Sequence, residues 1–177
     1  MPVGMAHDDS VNTDISLLDE VKIQARVLIP VLRALRTELG EDKANRLVRT
    51  ALRDWSRQLV DELGSRLPGR PREKWESSRN ALYPRIGDDI DIEMLRQEPD
   101  AIEFNVTGCR YADFFRQLNE PELGAVLLCE TDFHRAKLGS PEVELHRSQT
   151  IMEGARTCDF RYRMKSAKPS LDEPKEE

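Results

Sequence analysis

Apolar residues recur at three- and four-residue steps through the first third of the chain. From Asp14, the positions Leu17, Leu18, Val21, Ala25, Leu28, Leu32 and Leu35 make one stripe, and Gly40 stands where a left-handed residue closes a helix. Pro30 falls inside the stripe. It removes a backbone donor and crowds the preceding turn, so a kink or break is expected near Leu28 or Ile29. A second stripe is clearer: Ala44, Leu47, Val48, Ala51, Leu52, Trp55, Leu59, Val60 and Leu63, with Asp42, Lys43, Arg49, Arg53, Asp54, Arg57 and Asp61 away from it. Gly64 is its expected end. The short link Leu39-Gly40-Glu41 predicts an antiparallel helical hairpin over residues 14–64.

The pattern then loosens. Residues 65–72, SRLPGRPR, read as a loop, and Glu73 to Leu82 as a short helix carrying Trp75. Tyr83 to Asp100, punctuated by Pro84, Gly87 and Pro99, is expected to be an irregular covering segment or lid. From Ala101 the period becomes two: Ile102, Phe104 and Val106 share one strand face, and continuing the pleat puts Cys109 on the other, polar face. Tyr111, Ala112, Phe114, Phe115 and Leu118 return to helical spacing. Pro121 opens a further helix expected to stop near Cys129, with Glu130, Asp132 and His134 following it. Val143 to Ile151 reads as a strand with Val143, Leu145 and Arg147 in phase. Thr157 to Met164 is its return, with Cys158, Phe160, Tyr162 and Met164 on one face. These elements are expected to form one domain over 14–164, its core region at 101–164, between disordered tails at 1–13 and 165–177.

Charge narrows the partners. The 177 residues hold 27 basic against 33 acidic side chains, a formal charge of -6, which disfavours a nucleic-acid footprint. The local cluster Arg70, Arg72 and Lys74 reads as a solvated basic loop. No apolar run approaches the roughly 18 residues of a membrane span, and the N-terminus lacks the order of a secretory signal. A cytoplasmic protein with no membrane partner is expected. Three widely and unequally spaced cysteines are then free thiols.

These thiols are the first candidates for chemistry. Cys109 follows a strand and opens a helix beside Arg110, a position whose amides and dipole lower a thiol pKa towards neutrality. Cys158, on an apolar strand face, and Cys129, beside Leu127 and Leu128, read more readily as packing. The three with Asp132, His134 or His146 offer zinc-type ligands, but no Cys-x-x-Cys occurs and they come from separate elements, so no metal and no cofactor is expected. Arg147, in phase with apolar residues, either meets a structural carboxylate or forks a substrate carboxylate. Asp132, Glu130 and Asp159 are candidate bases.

Three runs together carry a resemblance. They are Phe104-x-Val106-Thr107-x-Cys109-x-Tyr111-Ala112; Glu122-Leu123-Gly124 with Cys129-x-x-Asp132; and Leu145-x-Arg147-x-x-Thr150-x-Met152-x-Gly154-x-x-x-Cys158-Asp159-Phe160. They resemble the L-2-amino-thiazoline-4-carboxylic acid hydrolase family over about two thirds of the chain. Asn119 stands where that pattern leads one to expect glycine, and Ala155 where aspartate often follows Gly154. The resemblance implies a hydrolase acting on a carbon-nitrogen bond of a small cyclic amidine, with the thiazoline ring opened to N-carbamoyl-L-cysteine by a cysteine nucleophile. Joined to the residue-level reading, it puts Cys109, Asp132 and Cys158 in catalysis and Arg147, Tyr111, Thr150 and His134 against a small carboxylate substrate. Whether the chain is a monomer or a homodimer stays open. The C-terminal half, with its final hairpin, is also similar to small-molecule-binding domains of the vinyl-reductase type. That similarity implies the expected fold class, α+β with an N-terminal helical hairpin packed on a small antiparallel sheet, and the rival function, a non-catalytic small-molecule or metal-binding sensing module.

Overall fold

The structure is a computed structural model that describes residues 15–165. Of the expected tails, residues 1–13 and 166–177 lie outside it, while Lys165 continues from the last strand and donates its amide to Glu142. The first stripe is one helix, α1 (Leu17–Leu39), opened by Ser16, whose hydroxyl accepts the Asp19 amide. It passes through Pro30 without a break, because Leu18, Val21, Ala25, Ile29 and Leu32 are buried on both sides of the proline and their packing outweighs one missing backbone bond. Gly40, at φ 80°, turns the chain into α2 (Glu41–Arg66), which packs back on α1. Gly64 is not its end. It is buried inside the helix, where a Cβ would lie 2.6 Å from Leu138 Cδ2, so its glycine serves close approach.

The expected loop and lid are more regular than their punctuation suggests. Pro71 occupies a first helical turn, where its missing N–H is harmless, and α3 (Pro71–Ile86) runs well past Leu82. The Arg70–Lys74 cluster is spent locally: Arg72 pairs with Glu76 at 2.8 Å and Lys74 donates to the Gly64 carbonyl. Residues 87–89 form a 3-10 turn leading into β1 (Ile90–Glu98), an edge strand rather than an irregular lid.

The sheet is antiparallel throughout, in the order β1-β2-β4-β3, with β2 (Ala101–Cys109), β3 (Val143–His146) and β4 (Cys158–Met164). Phe104 stands opposite Phe160 and their rings stack at 4.8 Å. Phe104, Val106, Cys158, Phe160, Tyr162 and Met164 are buried on the inner face. The outer face is polar, with Arg163 on Glu103 at 2.7 Å and Arg161 donating to Asn105. The third strand stops at His146, short of the expected Ile151, because Ser148 and Gln149 turn their amides onto the Asp159 carboxylate.

Between β2 and β3 lie α4 (Arg110–Gln117), α5 (Pro121–Gly124), a π-helical turn at Ala125–Cys129 and α6 (Glu130–Lys137). Asn119 adopts φ 57°, the left-handed region that glycine and asparagine tolerate best. The helix expected to stop near Cys129 instead runs through the π turn, so Asp132 and His134 are helical. The hairpin reaches the sheet largely through this segment and α3: α2 packs on the π turn and α6, and α3 and α6 lie on β3.

Gly124 is buried where a Cβ would come within 2.6 Å of Phe115 and 2.7 Å of Met152. Gly124→Ala is expected to lose about 1–3 kcal/mol by overpacking, more than the roughly 1 kcal/mol that alanine gains in a helix. Urea unfolding measures it, and a neutral or stabilised variant contradicts the tight contact.

Candidate functional site

A cavity of about 260 Å³ lies between α1, α2, α3 and the inner face of the sheet. Leu17 and Val21 of α1, Leu59 and Val60 of α2, and Leu82 and Ile86 of α3 form an apolar wall. Cys109, Cys129, Cys158, Asp132, Arg135 and Arg147 supply its chemistry, so all three thiols line one space. A smaller cavity of about 80 Å³, between α3 and the sheet, shares Asp132 and Arg135 with it.

Cys109 reaches the cavity because the strand slips. Ile92 faces Val106 but Asp91 faces Gly108, so one extra residue in β2 makes a bulge that shifts the phase, and Cys109 comes opposite Ile90 rather than onto the polar face. Gly108 permits this: a Cβ there would strike the Asp91 carboxylate. Cys109 does open α4, its Sγ accepting the Ala112 amide at 3.4 Å. Its pKa nevertheless moves opposite to the expectation. Burial pushes the thiol up, and the Ala112 and Tyr111 amides offset this only in part. Arg110 turns outward to Asp89 at 3.5 Å. Burial also pushes up Cys158, whose Sγ accepts the Ile151 amide at 3.2 Å, and Cys129 in the π turn, where Asp132 adds to the effect.

Asp132 and Arg147 are brought together across the cavity. An Arg147 guanidinium nitrogen donates to the Asp132 carboxylate at 2.5 Å and another to the Cys129 carbonyl at 2.8 Å. The guanidinium carbon lies 4.9 Å from the Phe133 ring centre and 5.2 Å from that of Phe160. Arg147, whose side chain is 5% exposed, therefore takes the structural alternative, a carboxylate of its own. Burial lifts Asp132 to about 6 even though Arg147 pulls it down.

The remaining expected residues divide. Tyr111 is buried, lines the cavity, and its hydroxyl has no hydrogen-bond partner among the described residues. Burial pushes its pKa up. Thr150 is not brought to the cavity: its hydroxyl donates to Glu153 at 2.7 Å and accepts the Glu153 amide, closing the turn between β3 and β4. His134 is also absent from the lining, since it leaves α6 towards the charges of α2; burial and Lys137 hold its pKa down. Glu130 pairs with Arg53, and Asp159 accepts the Ser148 and Gln149 amides, so neither is a free base. Among the described residues, no group of three or more His, Cys, Asp or Glu is gathered as a metal site. Arg135 and Ser56 escaped the sequence reading. Arg135 lies three residues after Asp132, on its helical face, a signal visible only once the helix is continued past Cys129.

The family model for L-2-amino-thiazoline-4-carboxylic acid hydrolase matches residues 20–162. No curated protein matches the chain. Among solved structures, the crystal structure of a trafficking protein particle complex subunit 3 from Naegleria fowleri, covalently bound to palmitic acid, is similar at 16% identity. The alignment covers 82% of this chain and 97% of that one, with a TM-score of 0.42.

Proposed function

We infer the reaction from the premise that the chain belongs to the L-2-amino-thiazoline-4-carboxylic acid hydrolase family. The proposal is hydrolysis of a small cyclic amidine bearing a carboxylate. One observation carries it: three thiols and an ion-paired carboxylate with a raised pKa converge on one apolar-walled cavity. Cys109 is the nucleophile and Asp132, ionised above about 6, is the base. Cys158 lines the same cavity; Asp132 and Arg147 both act electrostatically on its thiol, and it acts in turn on Cys109.

The Cys109 thiol loses its proton to Asp132 as its sulfur bonds to the amidine carbon, and the C=N π electrons move to nitrogen. The nitrogen pair re-forms the C=N bond as the ring C–S bond, rather than the expected carbon-nitrogen bond, breaks, and the departing sulfur takes the proton held by Asp132. Water adds to the same carbon, giving one proton to Asp132. The Cys109 sulfur leaves and takes that proton to become the thiol, and the remaining hydroxyl proton moves to nitrogen to complete the urea. For L-2-amino-thiazoline-4-carboxylate the sum is one water consumed and one N-carbamoyl-L-cysteine formed.

A second reading has its own support. Burial keeps all three thiols protonated near neutral pH, which suits a non-catalytic small-molecule-binding module of the vinyl-reductase type. Iodoacetamide alkylation across a pH series, mapped by mass spectrometry, separates the two. The hydrolase reading expects Cys109 to react ahead of Cys129 and Cys158, with a midpoint above the ordinary value of 9.0 in the free protein, and to be protected by the thiazoline carboxylate. Three equally inert thiols together with no release of N-carbamoyl-L-cysteine favour the binding module.

A further inference from the structure

The charges around the cavity do not balance. Four arginines line it and its smaller neighbour: Arg79, Arg85, Arg135 and Arg147. Arg147 has Asp132, and Arg85 has Glu20. Arg79 lies over aromatic rings, 5.1 Å from the Trp75 centre and 5.4 Å from that of Tyr83. Arg135 has no carboxylate partner among the described residues, and its hydrogen bond is to the Ser78 hydroxyl at 2.8 Å. Ser78 is itself buried. Burial pulls the Arg135 pKa down, with Asp132 opposing the shift, as for a cation placed in a poorly solvated space.

A guanidinium carries five N–H donors in a planar fork, and the Ser78 hydroxyl takes one; the half-buried Arg135 keeps the others for solvent or a ligand. Two further groups point the same way. Tyr111 and Ser56 line the larger cavity, 6% and 3% exposed, and their hydroxyl oxygens, sealed behind its surface, have no hydrogen-bond partner among the described residues. Buried donors of this kind are normally satisfied. Arg147 is unsuited to a ligand's carboxylate, because turning to it would strand Asp132 and the Cys129 carbonyl.

We propose that Arg135 anchors the carboxylate of the cavity's ligand where the two cavities meet, with Tyr111 and Ser56 meeting polar atoms on the rest of the molecule. The identity of the ring rests on the hydrolase reading. The need for an anion does not, since it comes from a half-buried cation without a carboxylate partner among the described residues, beside an aspartate already paired with Arg147.

Calorimetry with two probes tests this: L-2-amino-thiazoline-4-carboxylate, and 2-amino-2-thiazoline, the same ring without the carboxylate. The wild type is expected to bind the first about 10- to 100-fold more tightly, the range for a hydrogen bond to a charged group. Arg135→Gln is expected to abolish that preference, and Ser78→Ala to leave most of it. Should Arg135→Gln fail to fold, the side-chain Nε–H resonance of wild-type Arg135 decides: it shifts with the first probe and not with the second. Equal binding of both probes, no binding of the first, a preference kept by Arg135→Gln, or an unmoved Arg135 resonance each overturn the anchor. Preferential binding without N-carbamoyl-L-cysteine release removes the hydrolase reading and leaves the anchor standing. Product release with no preference does the reverse.

Discussion

Arg147→Met is expected to destabilise the protein by about 2 kcal/mol near neutral pH, between the loss for a surface pair and that for a fully buried one, because the Arg147 side chain is 5% exposed but that of Asp132 is 28%. Three contacts go at once: the 2.5 Å bond to Asp132, the 2.8 Å bond to the Cys129 carbonyl, and the stacking on Phe133 and Phe160. The first dominates, because it leaves a partly desolvated carboxylate alone. The pH dependence follows from the direction of the Asp132 shift. Its folded pKa, about 6, already lies above the ordinary 3.8, so the native state takes up a proton more readily than the unfolded chain. Any stability tied to Asp132 is therefore present below about 3.8 and lost as pH rises through about 6. Without Arg147 the folded pKa rises further. The deficit of the variant is thus full above that higher pKa and shrinks to its contact-only floor once pH falls below about 6, where both proteins carry a neutral Asp132. Urea unfolding at pH 5 and pH 8 reads this directly, and Asp132→Asn added to Arg147→Met should recover part of the loss. A loss under about 1 kcal/mol, or one independent of pH, would show that the pair is not buried in the sense required.

Cys109→Ala is expected to lower kcat/KM for L-2-amino-thiazoline-4-carboxylate by at least about 10³-fold, roughly 4 kcal/mol of transition-state stabilisation, while the ligand still binds. Cys129→Ala is expected to cost less than about tenfold, since that thiol sits in the π turn, where its carbonyl rather than its sulfur holds Arg147. In the wild type kcat/KM should rise as pH climbs through about 6, when Asp132 becomes able to accept the thiol proton, and Asp132→Asn should flatten that limb. Turnover that survives Cys109→Ala but not Cys158→Ala would move the nucleophile to the strand thiol, whose Sγ accepts an amide bond of its own.

The two long helices were legible as elements because a 3.6-residue stripe survives even a proline within it, but on α2 the stripe was not the buried face: Leu47, Ala51, Trp55 and Leu59 are exposed, while Ser56 and Gly64 join Ala44 and Val60 inside. That Phe104 and Phe160 each lie on a buried strand face was equally open to reading, since period two on both strands allows one such face each, while their pairing was decided by the fold. Segment 83–100 was misread because Pro84, Gly87 and Pro99 drew attention from the alternation Ile90, Ile92, Met94, which is only weakly buried on its edge strand. The short strand 143–146 was overrun for a different reason: side-chain bonds to Asp159, invisible to periodicity, end it.

The sequence by itself determined the α+β composition, the helical hairpin, the family and the three cysteines, because these depend on short-range periodicity and on motif order. Tertiary structure alone decided which groups share a cavity. A one-residue bulge beside Gly108 turned Cys109 inward, and the π turn at 125–129 carried Asp132 and Arg135 to the same space. Arg147 went to Asp132 rather than to a ligand, and Thr150 and His134 went elsewhere. Burial then reversed the electrostatics expected at Cys109, since desolvation depends on what packs around a thiol and not on the residues beside it in the chain.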